Sequence, residues 1–533
     1  MARLLAAVLA LTSLAVSACT VDSGSPTPAA SQSPAPETSA SSPVVSSSPT
    51  NAPPRGGLPT ADETERARGI VSKFSLQQVA GQLIVSSWSG LSAANKPVEA
   101  LHLGGLIAFP APSITAARAA EINRKLTKAA SKRGYPLFLA IDQEGGTVAR
   151  LHRGVLGMPP FMAVGAADQV DLTQASAWQN ADGLRRLGFT VQFAPVADVT
   201  VGGADRIIGS RSAGARPASV AAHVLAATRG VEEAGLVAVI KHFPGHGSIN
   251  ADSHRSLAVQ SAPWATLLKR DLVPFREAVD AGVPGVMSGH IIVRSLHTTE
   301  PATTSRRALT GVLREKWGYQ GLIVTDALNM QGVQRRHRGA RVAVAAVIAG
   351  ADVLLMPPNP LAARAALVRA VRAGELTRAR LDASATRMIA ALLHAAPQPP
   401  SVPTRFASTR LARAAVTSVA GPCSGRLIGH QVVVKGAAAK ARLIPLLRQR
   451  GVRVVRTGAP VIALGAYGWP RNVDVAVAVD RPGPLSQVKA RVKIASFGST
   501  NAAMSALVEV LLGERSAPGR LPVSVPGLPR QGC

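Results

Sequence analysis

Lys241-His242-Phe243-Pro244-Gly245-His246-Gly247 is followed, after a short gap, by Asp252-Ser253-His254. An aspartate two positions from a histidine can orient the imidazole and stabilise its protonated form, as in a catalytic dyad. The competing reading of Asp252 and His254 is a surface pair with no task, and only the company of other clusters argues against it. His242 and His246 stand four apart, a spacing that converges on a metal when it lies on a helix. Pro244-Gly245 interrupts any helix here, so no metal is expected. The better reading is a long loop that delivers Asp252 and His254 to a site.

Two further polar clusters have the same setting, directly after an apolar run. Ile141-Asp142-Gln143-Glu144-Gly145-Gly146-Thr147-Val148-Ala149-Arg150 pairs a sharp Gly-Gly turn with an aspartate suited to hydrogen bonding with hydroxyl groups. Arg150 is placed to reach back toward the same point; the alternative is an acidic turn among surface arginines. In Leu322-Ile323-Val324-Thr325-Asp326-Ala327-Leu328-Asn329-Met330, a lone carboxylate closes a buried run. Asp326 is either an N-cap for a following helix or a nucleophile, because a carboxylate in such a place is costly unless paired or used.

These clusters need a scaffold that gathers strand ends. From residue 62 to 396, short runs that are apolar throughout alternate with amphipathic stretches. The runs are Leu83–Ser87, Gly105–Phe109, Leu137–Ile141, Val191–Val196, Val237–Ile240, Gly285–Ser288, Leu322–Thr325 and Val353–Met356. Helix-like segments such as Ala116–Ala130 and Pro217–Ala234 lie between them. Runs without a polar face predict strands buried on both sides of a parallel sheet. About eight such units predict a (β/α)8 TIM-like barrel, with a doubly wound open sheet as the alternative; both collect ligands at the C-terminal ends of their strands. Pro397, Pro399, Pro400 and Pro403 mark 397–408 as a linker. Residues 409–533, with runs at Gln431–Val434, Val452–Val455, Val461–Leu464, Val473–Val479 and Lys493–Phe497, predict a smaller α/β sandwich domain.

Taken together and in this order, the three clusters resemble glycoside hydrolase family 3, within its bacterial β-N-acetylglucosaminidase (β-hexosaminidase) branch, and span most of residues 75–360. Gly519-Arg520-Leu521-Pro522-Val523 is similar to the close of that family's sandwich domain. The resemblance implies Asp326 as nucleophile and Asp252 with His254 as the acid/base dyad. It implies Asp142, Arg150, Arg211, Lys241 and His242 as contacts of the sugar in the first subsite. Thr147 stands where relatives often carry arginine, and a second domain of about 125 residues is short for the family. The implied reaction is retaining hydrolysis of a terminal β-linked N-acetylglucosamine from wall fragments or chitin oligosaccharides, through a covalent glycosyl-aspartate. An imidazole in place of a second carboxylate does not repel an anionic acceptor, so phosphorolysis is an alternative, as is another family 3 β-glycosidase. A non-catalytic wall-binding lipoprotein is disfavoured because nucleophile and dyad are all present. A serine hydrolase lacks its Gly-x-Ser-x-Gly elbow. No cofactor is expected.

The ends of the chain bear on its compartment. Arg3, an apolar run from Leu4 to Val16 and Ser17-Ala18-Cys19 make an export signal too short to span a bilayer comfortably. Leu14-Ala15-Val16-Ser17-Ala18-Cys19 resembles a bacterial lipobox, which implies acylation of Cys19 and a cell-membrane anchor on the extracytoplasmic face. The alternative is an ordinary signal peptide with an incidental cysteine. Residues 20–61, rich in Ser, Pro, Thr and Ala, predict a disordered tether. Cys423 and Cys533, the two remaining thiols, are expected to form one disulfide outside the cytoplasm. Lys and Arg outnumber Asp and Glu by 59 to 30, giving a net charge of +29 that suits anionic surroundings, or a solvated arginine-rich surface. Aromatic residues make up only 3%, and no basic run is interleaved with them, so no nucleic-acid partner is expected.

Overall fold

The structure, a computed structural model, describes residues 57–88, 95–109, 114–205, 207–249, 251, 257–296, 299–436, 439–465 and 468–532. Cys19 and the signal segment, the tether up to residue 56, Asp252, His254 and Cys533 lie outside the described residues.

Eight parallel strands form the first sheet: β1 (Ile84–Trp88), β2 (Gly105–Ala108), β3 (Phe138–Ile141), β4 (Val191–Gln192), β5 (Val237–Phe243), β6 (Gly285–Ser288), β7 (Leu322–Thr325) and β8 (Leu354–Leu355). Their spatial order is β7-β6-β5-β4-β3-β2-β1-β8. A parallel bridge between Val324 and Val353, with Thr325 N donating to Val353 O at 3.0 Å, joins the two ends. That closure selects the barrel over the open sheet. The reason is legible in the strands: every residue of β2, β3, β5, β6 and β7 is buried, so neither face can meet water. Phe138 and Phe193, with ring centroids 6.1 Å apart, fill the interior with Val85, Ile107, Val239, Met287 and Leu355. The interior is therefore a packed core and not a pore.

The outer helices begin where the sequence supplies caps. Thr115, Asn359 and Thr377 accept from the amides of Arg118 (3.2 Å), Ala362 (2.9 Å) and Arg380 (3.1 Å). Each such cap stabilises its helix by about 1 kcal/mol. The helix Pro217–Glu233 opens on proline, whose missing N–H would be unpaired there anyway.

A second, six-stranded sheet is built from β9 (Thr417–Ala420), β10 (Gln431–Gly436), β11 (Arg453–Val454), β12 (Val461–Gly465), β13 (Val475–Ala478) and β14 (Val492–Ala495). Its order is β9-β14-β13-β12-β10-β11, parallel except for β9 at one edge. β9 escapes a search for apolar runs because it starts on Thr417-Ser418. The proline-rich segment before it contains no helix or strand from 395 to 406, and a helix, Ala407–Ala415, already starts within 397–408. The segment is strapped to the barrel: Gln398 N donates to Glu233 O (2.7 Å), Ser401 Oγ to Glu233 Oε1 (2.6 Å), and Gln179 Nε2 to Thr404 O (2.7 Å). Cys423 is disulfide-bonded, and its Sγ lies 3.3 Å from Gly532 O.

Candidate active site

The described residues of the three sequence clusters sit at the C-terminal ends of barrel strands. Asp142 leaves β3, and the chain then folds into a small hairpin, Gln143–Gly145 against Val148–Ala149. Gly145 and Gly146 have φ of 101° and 58° and press against Pro159 and Pro160, where an added Cβ would stand 2.4 and 2.6 Å from its nearest neighbour. Only glycine fits such a turn at that approach. Gln143 holds the far side of the hairpin, its Oε1 accepting from Arg150 N (2.8 Å) and its Nε2 donating to Leu151 O (2.9 Å). Arg150 is thereby turned back over the ring of Phe109, 4.5 Å from its centroid, with Nη2 3.5 Å from Asp142 Oδ2.

Lys241, near the C-terminal end of buried β5, bridges two carboxylates: Nζ donates to Asp142 Oδ1 at 2.7 Å and to Glu144 Oε1 at 2.6 Å. Arg211 grips Glu144 from the other side with a two-pronged contact, Nε to Oε2 at 2.7 Å and Nη2 to Oε1 at 2.9 Å. Burial alone would push the Glu144 carboxyl up, but the Arg211 and Lys241 charges hold it far below the usual carboxylate range. Burial likewise opposes the charge on Lys241, and Asp142 and Glu144 overcome it and raise the ammonium. Removing one member of such a buried set typically costs about 3–5 kcal/mol, because a charge is left without its partner.

Arg211 reaches this point from a tight turn, Gly209–Arg211, organised around the buried Asp205. Asp205 Oδ1 accepts from the amides of Ile207 and Ile208, both at 2.9 Å, and Oδ2 from Gly209 N (3.0 Å) and Thr200 Oγ1 (2.7 Å). The second domain holds the same turn: Ser210 Oγ donates to Asp480 Oδ1, and Arg481 Nη1 donates to Asp205 O at 3.1 Å.

His242 is oriented by Asp198, which is wholly buried. Asp198 Oδ2 lies 2.7 Å from His242 Nδ1, and Oδ1 accepts from the amides of His242 (3.2 Å) and His246 (2.7 Å). Burial would raise the Asp198 carboxyl; the facing imidazoles and these donors lower it instead. The His242 Nε2 end points to Arg211, 3.4 Å from Nη2. His246 packs edge-on against the His242 ring at 6.0 Å, and burial pushes its pKa down. Among the described residues no group of His, Cys, Asp and Glu has a metal-holding arrangement.

Asp326 leaves β7 half-buried, its amide donating to Ser288 O (3.0 Å) and its Oδ1 accepting from Ala327 N (2.7 Å). The next helix, Gln331–Gln334, has Met330 at its N-cap, so Asp326 caps no helix. The turn behind it is pinned by buried His290, whose Nε2 donates to Ala327 O at 2.9 Å. Asp326 adjoins the basic cluster through the end of β6. Gly289 N donates to Phe243 O (2.8 Å), and a Cβ on Gly289 would stand 3.3 Å from His242 Cβ. Asp252 and His254 fall outside the described residues, but both shoulders of their loop are tied at one place. Gln260 Nε2 donates to Ser248 Oγ (2.7 Å), which donates to Asp271 Oδ1 (2.6 Å).

The structure thus brings Asp142, Arg150, Arg211, Lys241 and His242 into one cluster, with Asp326 beside it. Glu144, Asp198 and Asp205 bind that cluster together and were not singled out in the sequence. Asp198 could have been, since it ends the apolar run Val191 to Ala197, just as Asp142 and Asp326 end theirs.

A closed parallel barrel whose strand ends present one half-buried carboxylate beside a dense, mutually neutralised set of acids and bases is built to act on a polar ligand at its mouth. The chain belongs to glycosyl hydrolase family 3, whose N-terminal domain model matches residues 75–391, and it is accordingly a glycoside hydrolase. It is 35% identical over 260 residues to a β-hexosaminidase of Xylella fastidiosa (strain 9a5c), covering 48% of this chain and 76% of that one. It is 32% identical over 341 residues to the β-hexosaminidase LpqI of Mycobacterium tuberculosis (strain ATCC 25618 / H37Rv), covering 62% and 86%. A solved family 3 β-N-acetylglucosaminidase from Paenibacillus sp. str. FPU-7 superposes with a TM-score of 0.77 at 28% identity, covering 85% of this chain and 99% of the other.

Proposed function

We propose that the chain is a retaining β-N-acetylhexosaminidase that releases terminal β-linked N-acetylglucosamine from wall fragments or chitin oligosaccharides. The observation that carries the reading is the half-buried Asp326 at the end of β7, beside the cluster of Asp142, Lys241, Glu144 and Arg211. The names of the relatives support the sugar. In the first step Asp326 attacks the anomeric carbon. The bond to the leaving oxygen breaks, and that oxygen takes the proton of His254, held by Asp252. In the second step His254 removes a proton from water as the water oxygen displaces Asp326, so two inversions leave the sugar in its original configuration. Asp142, Lys241, Arg211, Arg150 and His242 hold the sugar in the first subsite. Their mutual ion pairs fix them before the substrate arrives, so little reorganisation is left for the reaction.

We also propose that the enzyme is lipid-anchored through Cys19 on the extracytoplasmic face of the cell membrane, on a tether that begins at residue 20 and ends before 57, since residues 57–61 join the folded part, where Thr60 caps the helix Ala61–Val71. A disulfide from Cys423 to Cys533 would then fasten the end of the chain to the second domain.

A slow fluorinated N-acetylglucosaminide tests the nucleophile: mass spectrometry should find the label on the peptide that contains Asp326, and Asp326→Asn should be inactive. Label elsewhere, or an active Asn variant, would overturn the assignment. Running the turnover in phosphate distinguishes free N-acetylglucosamine from its 1-phosphate, the product if phosphate replaces water.

A further inference from the structure

The end of the barrel opposite to Asp326 carries a second charged cluster that the proposed mechanism does not use. Asp352, wholly buried just before β8, accepts from Ile323 N (3.0 Å), Ser384 Oγ (2.7 Å) and Arg314 Nη2 (2.5 Å). Nη1 of Arg380 and Nη1 of Arg387 both stand 3.4 Å from its Oδ1. Three guanidinium groups therefore converge on one carboxylate that is already saturated. Arg314 also gives Nη1 to Tyr319 O and Gly321 O, while Arg380 gives Nη2 to Ala351 O and Nη1 to Ser384 Oγ and keeps N–H groups beyond these. For Arg387 the 3.4 Å approach to Asp352 is the whole of its polar contact among the described residues.

These groups face a pocket of about 470 Å3 between the helices Arg307–Lys316, Arg341–Ala349 and Arg378–His394. Arg306 adds a fourth guanidinium at the rim, 3.8 Å from Glu315. The carboxylate on the wall, Glu375, is taken up by Arg341 Nη1 at 2.5 Å. The pocket thus holds more cation than its own acids neutralise. Burial depresses the Arg314 guanidinium, Asp352 opposes that, and the like charges of Arg387 and Arg380 depress it further.

We propose that this pocket binds a phosphate group, as a monoester or diester anion, through Arg387, Arg306 and Arg380. Guanidinium forks match the oxygens of a tetrahedral anion, and a phosphate offers enough of them to engage several forks at once, where a carboxylate offers two. An anion seated there would lie between cations that otherwise repel one another. Its place at the N-terminal ends of the strands separates it from the mouth where glycosides are cleaved.

The test uses the full chain with Cys19→Ala, so that no lipid anchor contributes, at constant ionic strength set with chloride. Inorganic phosphate should bind saturably by calorimetry and raise the melting temperature. Arg387→Gln should weaken that binding at least tenfold while hydrolysis of a nitrophenyl N-acetylglucosaminide stays within twofold. Ala383→Glu gives an independent check, because it sets a carboxylate three residues after Arg380 and four before Arg387 on one helix. That variant should melt higher than the parent without phosphate and no longer respond to it, an outcome that misfolding cannot imitate. Phosphatidylglycerol vesicles, against phosphatidylcholine ones, identify a lipid phosphodiester as the source if they bind in an Arg387-dependent way and free phosphate does not. A phosphate response equal in the parent, Arg387→Gln and Ala383→Glu, or reproduced by chloride, with no Arg387-dependent vesicle binding, would overturn the proposal.

Discussion

Replacing Asp198 by Asn probes how the His242 imidazole is held, because it removes one charge and leaves the shape. Asp198 gives Oδ2 to His242 Nδ1 at 2.7 Å and Oδ1 to two backbone amides at 3.2 and 2.7 Å. An asparagine has one acceptor oxygen, so either the ring or the two amides must face its NH2 group. A hydrogen bond to a charged group contributes about 1.5–3 kcal/mol, and a buried donor left unpaired costs about 1–3 kcal/mol. The sum agrees with the ~3–5 kcal/mol lost when a buried ion pair is broken from one side. Stability should fall by about 3 kcal/mol in urea denaturation. If His242 contacts the bound sugar, the part of that loss felt in orientation, ~1.5–3 kcal/mol, should lower kcat/KM by roughly 10- to 150-fold. Most of it should appear in KM, since a binding contact is made in ground and transition states alike. The pH dependence has a definite sign. The Asp198 carboxyl is held below its ordinary value of 3.8, so its stabilisation is complete above that pH and disappears as pH falls through the lower folded value. The stability gap between parent and variant should therefore close below about pH 4. A folded Asn variant with unchanged kcat/KM, or one whose stability deficit persists undiminished into acid, would refute the reasoning.

Asp480→Ala frees the turn that carries Arg211 from the second domain; kcat/KM should fall about tenfold, equivalent to ~1–1.5 kcal/mol, with Asp480→Asn recovering most of it. Equal effects of the two variants on melting temperature, with unaltered kinetics, would make the contact merely structural. His254→Ala should slow natural disaccharides far more than activated nitrophenyl glycosides, and azide should restore part of the second step; equal losses without rescue would assign the acid elsewhere. Cys19→Ala should move the protein out of the detergent fraction, and an unchanged distribution would remove the anchor.

What the sequence discloses here follows from the period of burial. Strands buried on both faces announce themselves as continuous apolar runs, so the runs Gly285–Ser288 and Leu322–Thr325 coincide with β6 and β7 to the residue. β4 is shorter than the apolar run Val191–Val196, because after Gln192 the chain leaves the ladder and returns only through the single bridge from Val196 to Lys241. Pairing, unlike apolarity, depends on a neighbour the local pattern does not show. The site divides along the same line. Asp142, Lys241 and Asp326 stand at strand ends and in recognisable strings, whereas Asp205 owes its place to four donors from a turn with no periodic signal. Asp480 is a further case, since its partner Ser210 is 270 residues away.

The two halves of the proposed catalytic pair sit on supports of different kinds, and the chemistry gives a reason. A nucleophile must meet one carbon from one direction, and Asp326 leaves a buried strand with its amide fixed to Ser288 O and the turn behind it pinned by His290. The acid/base must instead serve a departing oxygen and then an arriving water, which occupy the same side of the sugar in turn. The loop that carries Asp252 and His254 has its shoulders joined by Gln260, Ser248 and Asp271. Burial raises the Asp271 carboxyl, against the pull of Ser248 and Arg270, so this junction is held by hydrogen bonds to a buried acid and would loosen if they were removed. The cluster proposed to hold the sugar is one in which each charge already has an opposite. Binding therefore need not neutralise a buried ion, and the substrate's hydroxyls exchange water for groups already held in place.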